Sequence, residues 1–75
     1  MPALRVQISQ VSSAAGHSLH ALAIYYRDLP KPEINKSLKY FQRALRIRED
    51  AIGHTHPDTA ETVLEIGNLY VMVGK

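Results

Sequence analysis

The sequence predicts an all-α protein with a single small domain, and three observations support this. The chain has 75 residues, roughly half the usual length of an independent domain. Gly16, Pro30 with Pro32, and Gly53 with Pro57 divide it into blocks of about 12 to 20 residues, the length of helices rather than strands. Within each block, apolar residues recur three and four positions apart, as they do on one face of a helix.

Composition excludes several classes of protein. The absence of cysteine rules out a disulfide framework and a thiolate metal site. A net charge of +2 gives no reason to expect nucleic acid or an anionic membrane as a partner. No apolar run approaches the ~20 residues of a membrane-spanning helix, so we expect no membrane association and a cytoplasmic location. Residues 1–15 are acid-free and contain serine, which leaves a mitochondrial address as the alternative.

The first and last blocks carry the same pattern of large and small residues. Leu19, Leu22, Ala23 and Tyr26 are matched 44 residues later by Val63, Ile66, Gly67 and Tyr70. This spacing places two large apolar side chains, a small residue and an aromatic ring along one helical face. The small residue lets a second helix approach closely.

The middle block predicts that second helix. Its apolar arc, spaced at about 100° per residue, comprises Ile34, Ser37, Leu38, Phe41, Ala44, Leu45 and Ile52. The opposite side is basic and is formed by Lys36, Lys39, Arg43 and Arg46. We expect the first and middle blocks to form an antiparallel hairpin with a buried seam of Leu22, Ala23, Tyr26, Phe41 and Ala44. Arg48 lies within the apolar arc, so we expect it to pair with Asp58 or Glu61 across the next turn.

The turn before the last block contains a helix start. Thr55 and Asp58 have the spacing of a capping box, and Pro57 suits the first turn of a helix. The alternative is a metal site that uses His54 and His56 with help from Asp58.

These residues resemble the tetratricopeptide repeats, whose helix A carries a bulky–Leu–Gly/Ala–Tyr pattern and whose helix B carries a small–aromatic–Ala pattern. Ser37, Phe41 and Ala44 stand at the helix B positions. The stretch from Ala44 to Lys75, including His56-Pro57-Asp58-Thr59-Ala60, is similar to the longer repeats of kinesin light chains. Leu64-Glu65 stands where those repeats have an Asn-Asn pair.

The resemblance implies a division of the chain and a function. Residues 1–15 would be an N-terminal segment or short helix, residues 16–53 a complete repeat hairpin, and residues 54–75 helix A of a second repeat. The function implied is that of a protein-interaction scaffold that binds a peptide or a partner helix on the concave face of stacked A helices. The residues implied on that face are His17, His20, Ile24, Arg27, Glu61, Leu64, Asn68 and Val71.

One predicted apolar face has no partner helix in the sequence. Val63, Ile66, Gly67 and Tyr70 form the face that a helix B covers in the family. We expect residues 1–15, a second copy of the chain or a larger partner to cover it. A small structural subunit of a homo-oligomer or larger complex is therefore the alternative function.

Two further classes have less support from the residues. An enzyme would need a nucleophile with an oxyanion element, and Ser12, Ser13 and Ser18 near His17 and His20 supply none. Those two histidines lack an apparent third metal ligand, so we expect no enzyme activity, metal or cofactor. A nucleic-acid binder would use the basic side of the middle helix with Tyr40, but neighbouring acids cancel much of that charge.

Overall fold

The protein consists of three helices in a computed structural model that describes the backbone of residues 2–74 and the side chains of residues 11–74. The helices are α1 (Pro2–Arg27), α2 (Ile34–Ile52) and α3 (Pro57–Val73), and residues 2–74 contain no strand. The predicted all-α class is confirmed, whereas the tetratricopeptide arrangement stays a prediction. None of the helices in this range combines the length and apolarity that crossing a membrane requires.

Helix α1 runs without interruption through Gly16. Gly16 is buried, and a Cβ atom there would lie 3.0 Å from Cγ of Arg48. The glycine therefore lets the stem of Arg48 pack against α1, and the close contact offsets its low helix propensity. Residues 2–15 are the first part of α1 and not a separate short helix, so the boundary predicted at residues 15–16 falls inside a helix.

The antiparallel pairing of α1 with α2 depends on small residues, as predicted. Ala23, Phe41 and Ala44 are fully buried, and so is Ser37. The Ser37 hydroxyl donates a 2.7 Å hydrogen bond to the Ala23 carbonyl, which shows how closely the two backbones approach. The polar group of Ser37 is thereby satisfied within the core.

Of the two remaining members of the predicted seam, Tyr26 contacts α2 at its edge and Leu22 lies elsewhere. Leu22 is 37% exposed, and Tyr26 is half-buried and stacks on Tyr40. The side of α1 that meets α2 passes through His20 and Ala23, and Leu22 is rotated away from it by about 100°. The expectation that Leu22 belongs to the seam is wrong because the side of α1 that carries the buried His20 and Ala23 turns Leu22 toward solvent.

Helix α3 begins one residue later than predicted. His56 is the N-cap, and its Nδ1 accepts a 3.0 Å hydrogen bond from the backbone N–H of Asp58. Thr55 does not make the predicted capping bond because Pro57 occupies the first helical position, which makes the preceding residue the cap. The predicted role of Pro57 is confirmed.

Helix α3 packs antiparallel to α2. Its start lies beside Arg48, and Val73 at its end lies beside residues 32–36 at the start of α2. The side of α3 that faces inward is formed by Thr59, Thr62, Ile66 and Leu69. The core is consequently small, and threonines supply much of the contact from α3.

The buried Ala23 yields a stability prediction. Replacing it with leucine should overpack the α1–α2 contact and lower the free energy of unfolding by about 1 to 3 kcal/mol. Chemical denaturation followed by circular dichroism measures the change. Ala21→Leu is the matched control, because Ala21 is exposed on the same helix. Equal stability of the two variants would contradict the packing described.

Candidate protein-binding surface

Three polar side chains, one from each helix, meet at a buried point that we call the polar junction: His20, Arg48 and Thr62. Each is less than a tenth exposed. Arg48 Nη1 donates to the Thr62 hydroxyl at 2.8 Å and lies 3.4 Å from His20 Nδ1. His20 Nδ1 is 3.1 Å from the same hydroxyl, so the polar junction ties all three helices together.

The predicted bridge from Arg48 to the start of α3 is present, but its acceptors differ from those expected. Arg48 Nη1 donates to the backbone carbonyl of Asp58 at 2.8 Å rather than to its carboxylate. The Glu61 carboxylate is 3.8 Å away at the rim of the polar junction. Sequence reasoning missed Thr62 because it reads as a polar surface residue; its position four and seven residues before the apolar Ile66 and Leu69 was the available signal.

The hydrogen bonds of the polar junction favour a neutral His20. Because a carboxylate oxygen only accepts and Glu61 Oε1 lies 3.3 Å from Nε2, we place the proton on Nε2 and assign Nδ1 as the acceptor, 3.1 Å from the Thr62 hydroxyl. Burial lowers the pKa of His20, and the positive charge of Arg48 lowers it further. Glu61 opposes this shift only in part.

A second polar contact joins α1 to α3 at the other end of α1. Arg27 Nη1 donates a 2.6 Å hydrogen bond to Glu65, and its Nε donates to Asp28 at 2.9 Å. Burial alone would raise the pKa of Glu65, but hydrogen bonds from Arg27 and Asn68 bring it below its ordinary value. The contact therefore holds a charged pair in place between the two helices.

These contacts divide the residues predicted for the concave face into two groups. His20 and Arg27 are taken up by contacts within the chain, and Ile24 is half-buried against the core. The side chains that face solvent are His17, Glu61, Leu64, Asn68 and Val71. The expectation that His20 lines the surface is wrong, because α3 covers it.

The largest group of exposed apolar side chains lies on α3, and we call it the α3 apolar surface: Val63, Leu64, Gly67, Tyr70 and Val71. Its large members are between 52% and 64% exposed. These residues fall within an arc of about 120° on the side of α3 opposite the polar junction. The surface combines residues from two predicted faces. Val63, Gly67 and Tyr70 belong to the face that a helix B was expected to cover, and Leu64 and Val71 belong to the predicted concave face. Ile66, the remaining member of the former, is half-buried against the core.

Gly67 lies at the middle of this surface. No atom lies within 4 Å of the position that a Cβ would occupy, among the residues described. The backbone of α3 is therefore open to the close approach of another helix at this point.

The basic side of α2 faces solvent, as predicted, but its aromatic residues are already in contact with one another. The rings of Tyr26 and Tyr40 stack at 5.6 Å with an interplanar angle of 9°. Lys36 lies over the Tyr26 ring, and Arg43 lies over the Tyr40 ring. Stacking of a nucleic-acid base on Tyr40 would have to displace these contacts, which weakens the case for nucleic-acid binding.

The histidines considered as metal ligands have other contacts. His54 Nδ1 lies 3.0 Å from the Glu49 carboxylate, and His56 caps α3. Over the described part of the chain, no three His, Asp or Glu side chains are grouped as a metal site would need.

Comparison with known proteins finds no match: no family model, no curated protein and no solved structure is similar to this chain.

The polar junction predicts energetic coupling between Arg48 and Thr62. In a double-mutant cycle, Arg48→Met and Thr62→Val should show a coupling energy of about 0.5 kcal/mol or more, because their side chains share a buried hydrogen bond. The control cycle pairs Arg48→Met with Asp58→Asn, which leaves the backbone acceptor in place. Its effects should add to within ~0.5 kcal/mol. Coupling confined to the Asp58 cycle would contradict the assignment.

The lowered pKa of His20 predicts a loss of stability on mild acidification. The unfolded chain binds a proton near pH 6.5 while folded His20 stays neutral, so the free energy of unfolding falls as the pH falls from 6.5 through the lower folded pKa. His20→Gln should reduce the difference in stability between about pH 7.5 and pH 5.5, measured by urea denaturation. His17→Gln, one turn away and exposed, should keep the wild-type difference. An undiminished pH difference in His20→Gln would refute this account.

Proposed function

We propose that this protein is an interaction module whose α3 apolar surface binds an apolar helix of another protein molecule. The observation that carries the proposal is the distribution of apolar residues around α3. A helix that is apolar on both its inner and outer sides is typical of one packed between neighbours. In this chain α2 and α1 account for only one side.

The chemistry of the surface favours a helical ligand over an extended peptide. An extended segment needs hydrogen-bond partners for its backbone, whereas a helix satisfies its own. The α3 apolar surface presents the side chains of Val63, Leu64, Tyr70 and Val71 around Gly67, and Asn68 at its edge is bonded to Glu65. An apolar helix face suits this arrangement.

The contacts beneath the surface support binding by a preformed site. The polar junction and the Arg27–Glu65 pair hold α3 from the side opposite its apolar surface. A helix held in this way loses little conformational freedom when a ligand binds, which favours affinity.

Two lysine substitutions on α3 test the function. Val63 is 52% exposed within the α3 apolar surface, and Met72 is 48% exposed outside it, so Val63→Lys and Met72→Lys are closely matched. Val63→Lys should weaken binding of any protein held at the surface by about tenfold or more, because it buries an unpaired charge. Met72→Lys should leave binding unchanged.

The measurement is affinity purification of the tagged wild-type chain and both variants, with quantitative mass spectrometry of the retained proteins, including untagged copies of the chain itself. Proteins retained by wild type and Met72→Lys but lost from Val63→Lys support the proposal. Identical retention by all three, with circular dichroism showing equal folding, would refute it.

A further inference from the structure

We propose that α3 is a pH-sensitive element: the uptake of a proton by His20 releases it from the α1–α2 hairpin, which stays paired. Three features of the chain support this inference: the groups that face His20, the way that α3 covers it, and contacts of the hairpin that do not involve α3. Release would also dismantle the α3 apolar surface, but the release itself does not rest on the proposed function.

Charged and titratable groups face His20 from all three helices. On α2, Arg48 Nη1 lies 3.4 Å from Nδ1 of the imidazole. On α3, Glu61 Oε1 lies 3.3 Å from Nε2, and Glu65 acts from one turn farther along. On α1 itself, His17 precedes His20 by three residues. The ring therefore lies between a permanent cation at Nδ1 and a carboxylate at Nε2.

A proton on Nδ1 would turn this atom from a hydrogen-bond acceptor into a donor. Two cationic N–H groups would then lie 3.4 Å apart, and the Thr62 hydroxyl oxygen would have to accept from both of them. Glu61 offsets the repulsion only in part, because its carboxylate is 61% exposed and screened by water. Burial and the charge of Arg48 accordingly lower the pKa of His20 from its ordinary value. The docked arrangement therefore resists protonation.

Release of α3 is sufficient to expose His20. The ring contacts Thr62 through Nδ1 and Glu61 through Nε2, and both residues belong to α3. Without α3 the imidazole reaches water and carries its charge at a pKa closer to the ordinary value. A state that binds a proton more tightly gains population as the pH falls. The released state is therefore favoured as the pH falls from 6.5, the ordinary pKa of histidine, through the lower pKa of docked His20.

The pairing of α1 with α2 has contacts of its own. The Ser37 hydroxyl donates to the Ala23 carbonyl and joins the two helices without α3. Helix α3 is attached through the polar junction, the Arg27–Glu65 pair and a small apolar contact that includes Leu69. An element with few buried apolar contacts opens at a lower free energy than the rest of a protein. With 17 residues, α3 has marginal helical stability once these contacts are lost.

Two other titratable groups on α3 have to be distinguished from His20. Burial works against the charge of Glu65, but its hydrogen bonds from Arg27 and Asn68 keep its pKa below the ordinary 4.5. The Arg27–Glu65 pair therefore persists in mild acid. His56 accepts the capping hydrogen bond of α3 on Nδ1, and a proton there would remove this bond. His56→Asn keeps a side-chain cap without a titrating group, so it serves as a control.

Amide hydrogen exchange of the full chain, measured by NMR at about pH 7.5 and pH 5.5, tests the proposal. Amides in the middle of α3, residues 62–69, should be less protected than buried amides of the α1–α2 hairpin by about tenfold or more. After correction for intrinsic exchange rates, their protection should fall roughly three- to tenfold on acidification. One histidine with an ordinary pKa of 6.5 contributes no more than about tenfold over this range. Equal protection of α3 and the hairpin, or no fall on acidification, would overturn the proposal.

Histidine variants assign the effect to one residue. His20→Gln should reduce the fall in α3 protection to less than about twofold, because glutamine does not titrate. His17→Gln and His56→Asn should keep the wild-type fall. A fall that persists in His20→Gln, or one that disappears in His56→Asn, would overturn the role of His20.

Glu61→Gln keeps the test decisive if His20→Gln weakens the docking of α3 by itself. The Glu61 side chain is exposed, so its replacement leaves the core intact. Its carboxylate opposes the lowering of the His20 pKa by burial and Arg48. Its removal should therefore make the fall in protection at least as large as in wild type, up to the limit of about tenfold. A smaller fall in Glu61→Gln would contradict the proposal. Because exchange is measured on the chain alone, none of these outcomes depends on the proposed function.

Discussion

The guanidinium of Arg48 is the group on which the arrangement of the three helices depends. It is 4% exposed and extends from α2 past Gly16 of α1 to the first turns of α3. A buried positive charge is costly unless its donors are satisfied, and here the carbonyl of Asp58 and the hydroxyl of Thr62 accept from it. Any displacement of α3 would remove these acceptors together. The position of α3 is therefore specified by these hydrogen bonds together with the burial of Leu69.

The contacts that hold α3 leave several of its large apolar side chains exposed. The contacts that hold α3 use two threonines, Glu65 and a few apolar residues, of which Leu69 is the most completely buried. Thr59 is buried as well, and its hydroxyl has no hydrogen-bond partner among the described residues. The inner side of α3 thus combines the two threonines with Ile66 and Leu69, while the α3 apolar surface remains exposed.

The hairpin could be predicted from the sequence because its signals are local and periodic. Ala23, Phe41 and Ala44 follow helical spacing, and the exposed bases of α2 follow the opposite phase. The errors have a common origin in polar residues that bury through specific partners. His20 and Thr62 look like surface residues in sequence, and only the three-dimensional convergence on Arg48 places them inside.

The extent of α1 was also beyond local reasoning. Gly16 indicates a block boundary in the sequence because glycine disfavours helices, whereas its role in the fold depends on Arg48, 32 residues further along the chain. The sequence places Val63, Gly67 and Tyr70 on one face of α3, but the continuity of this face with Leu64 and Val71 depends on how α3 is rotated against α2.

The stacked tyrosines give the molecule two separate sets of optical reporters. On the hairpin the Tyr26 ring contacts those of Tyr25 and Tyr40, whereas Tyr70 is exposed on α3 and contacts no other aromatic ring among the described residues. With no tryptophan in the chain, these four phenols dominate its near-ultraviolet absorption and emission. Coupled rings of the hairpin report on the pairing of α1 with α2, and the isolated ring reports on the surroundings of α3. Undocking of α3 and melting of the hairpin thus carry different spectroscopic signatures in the unlabelled protein.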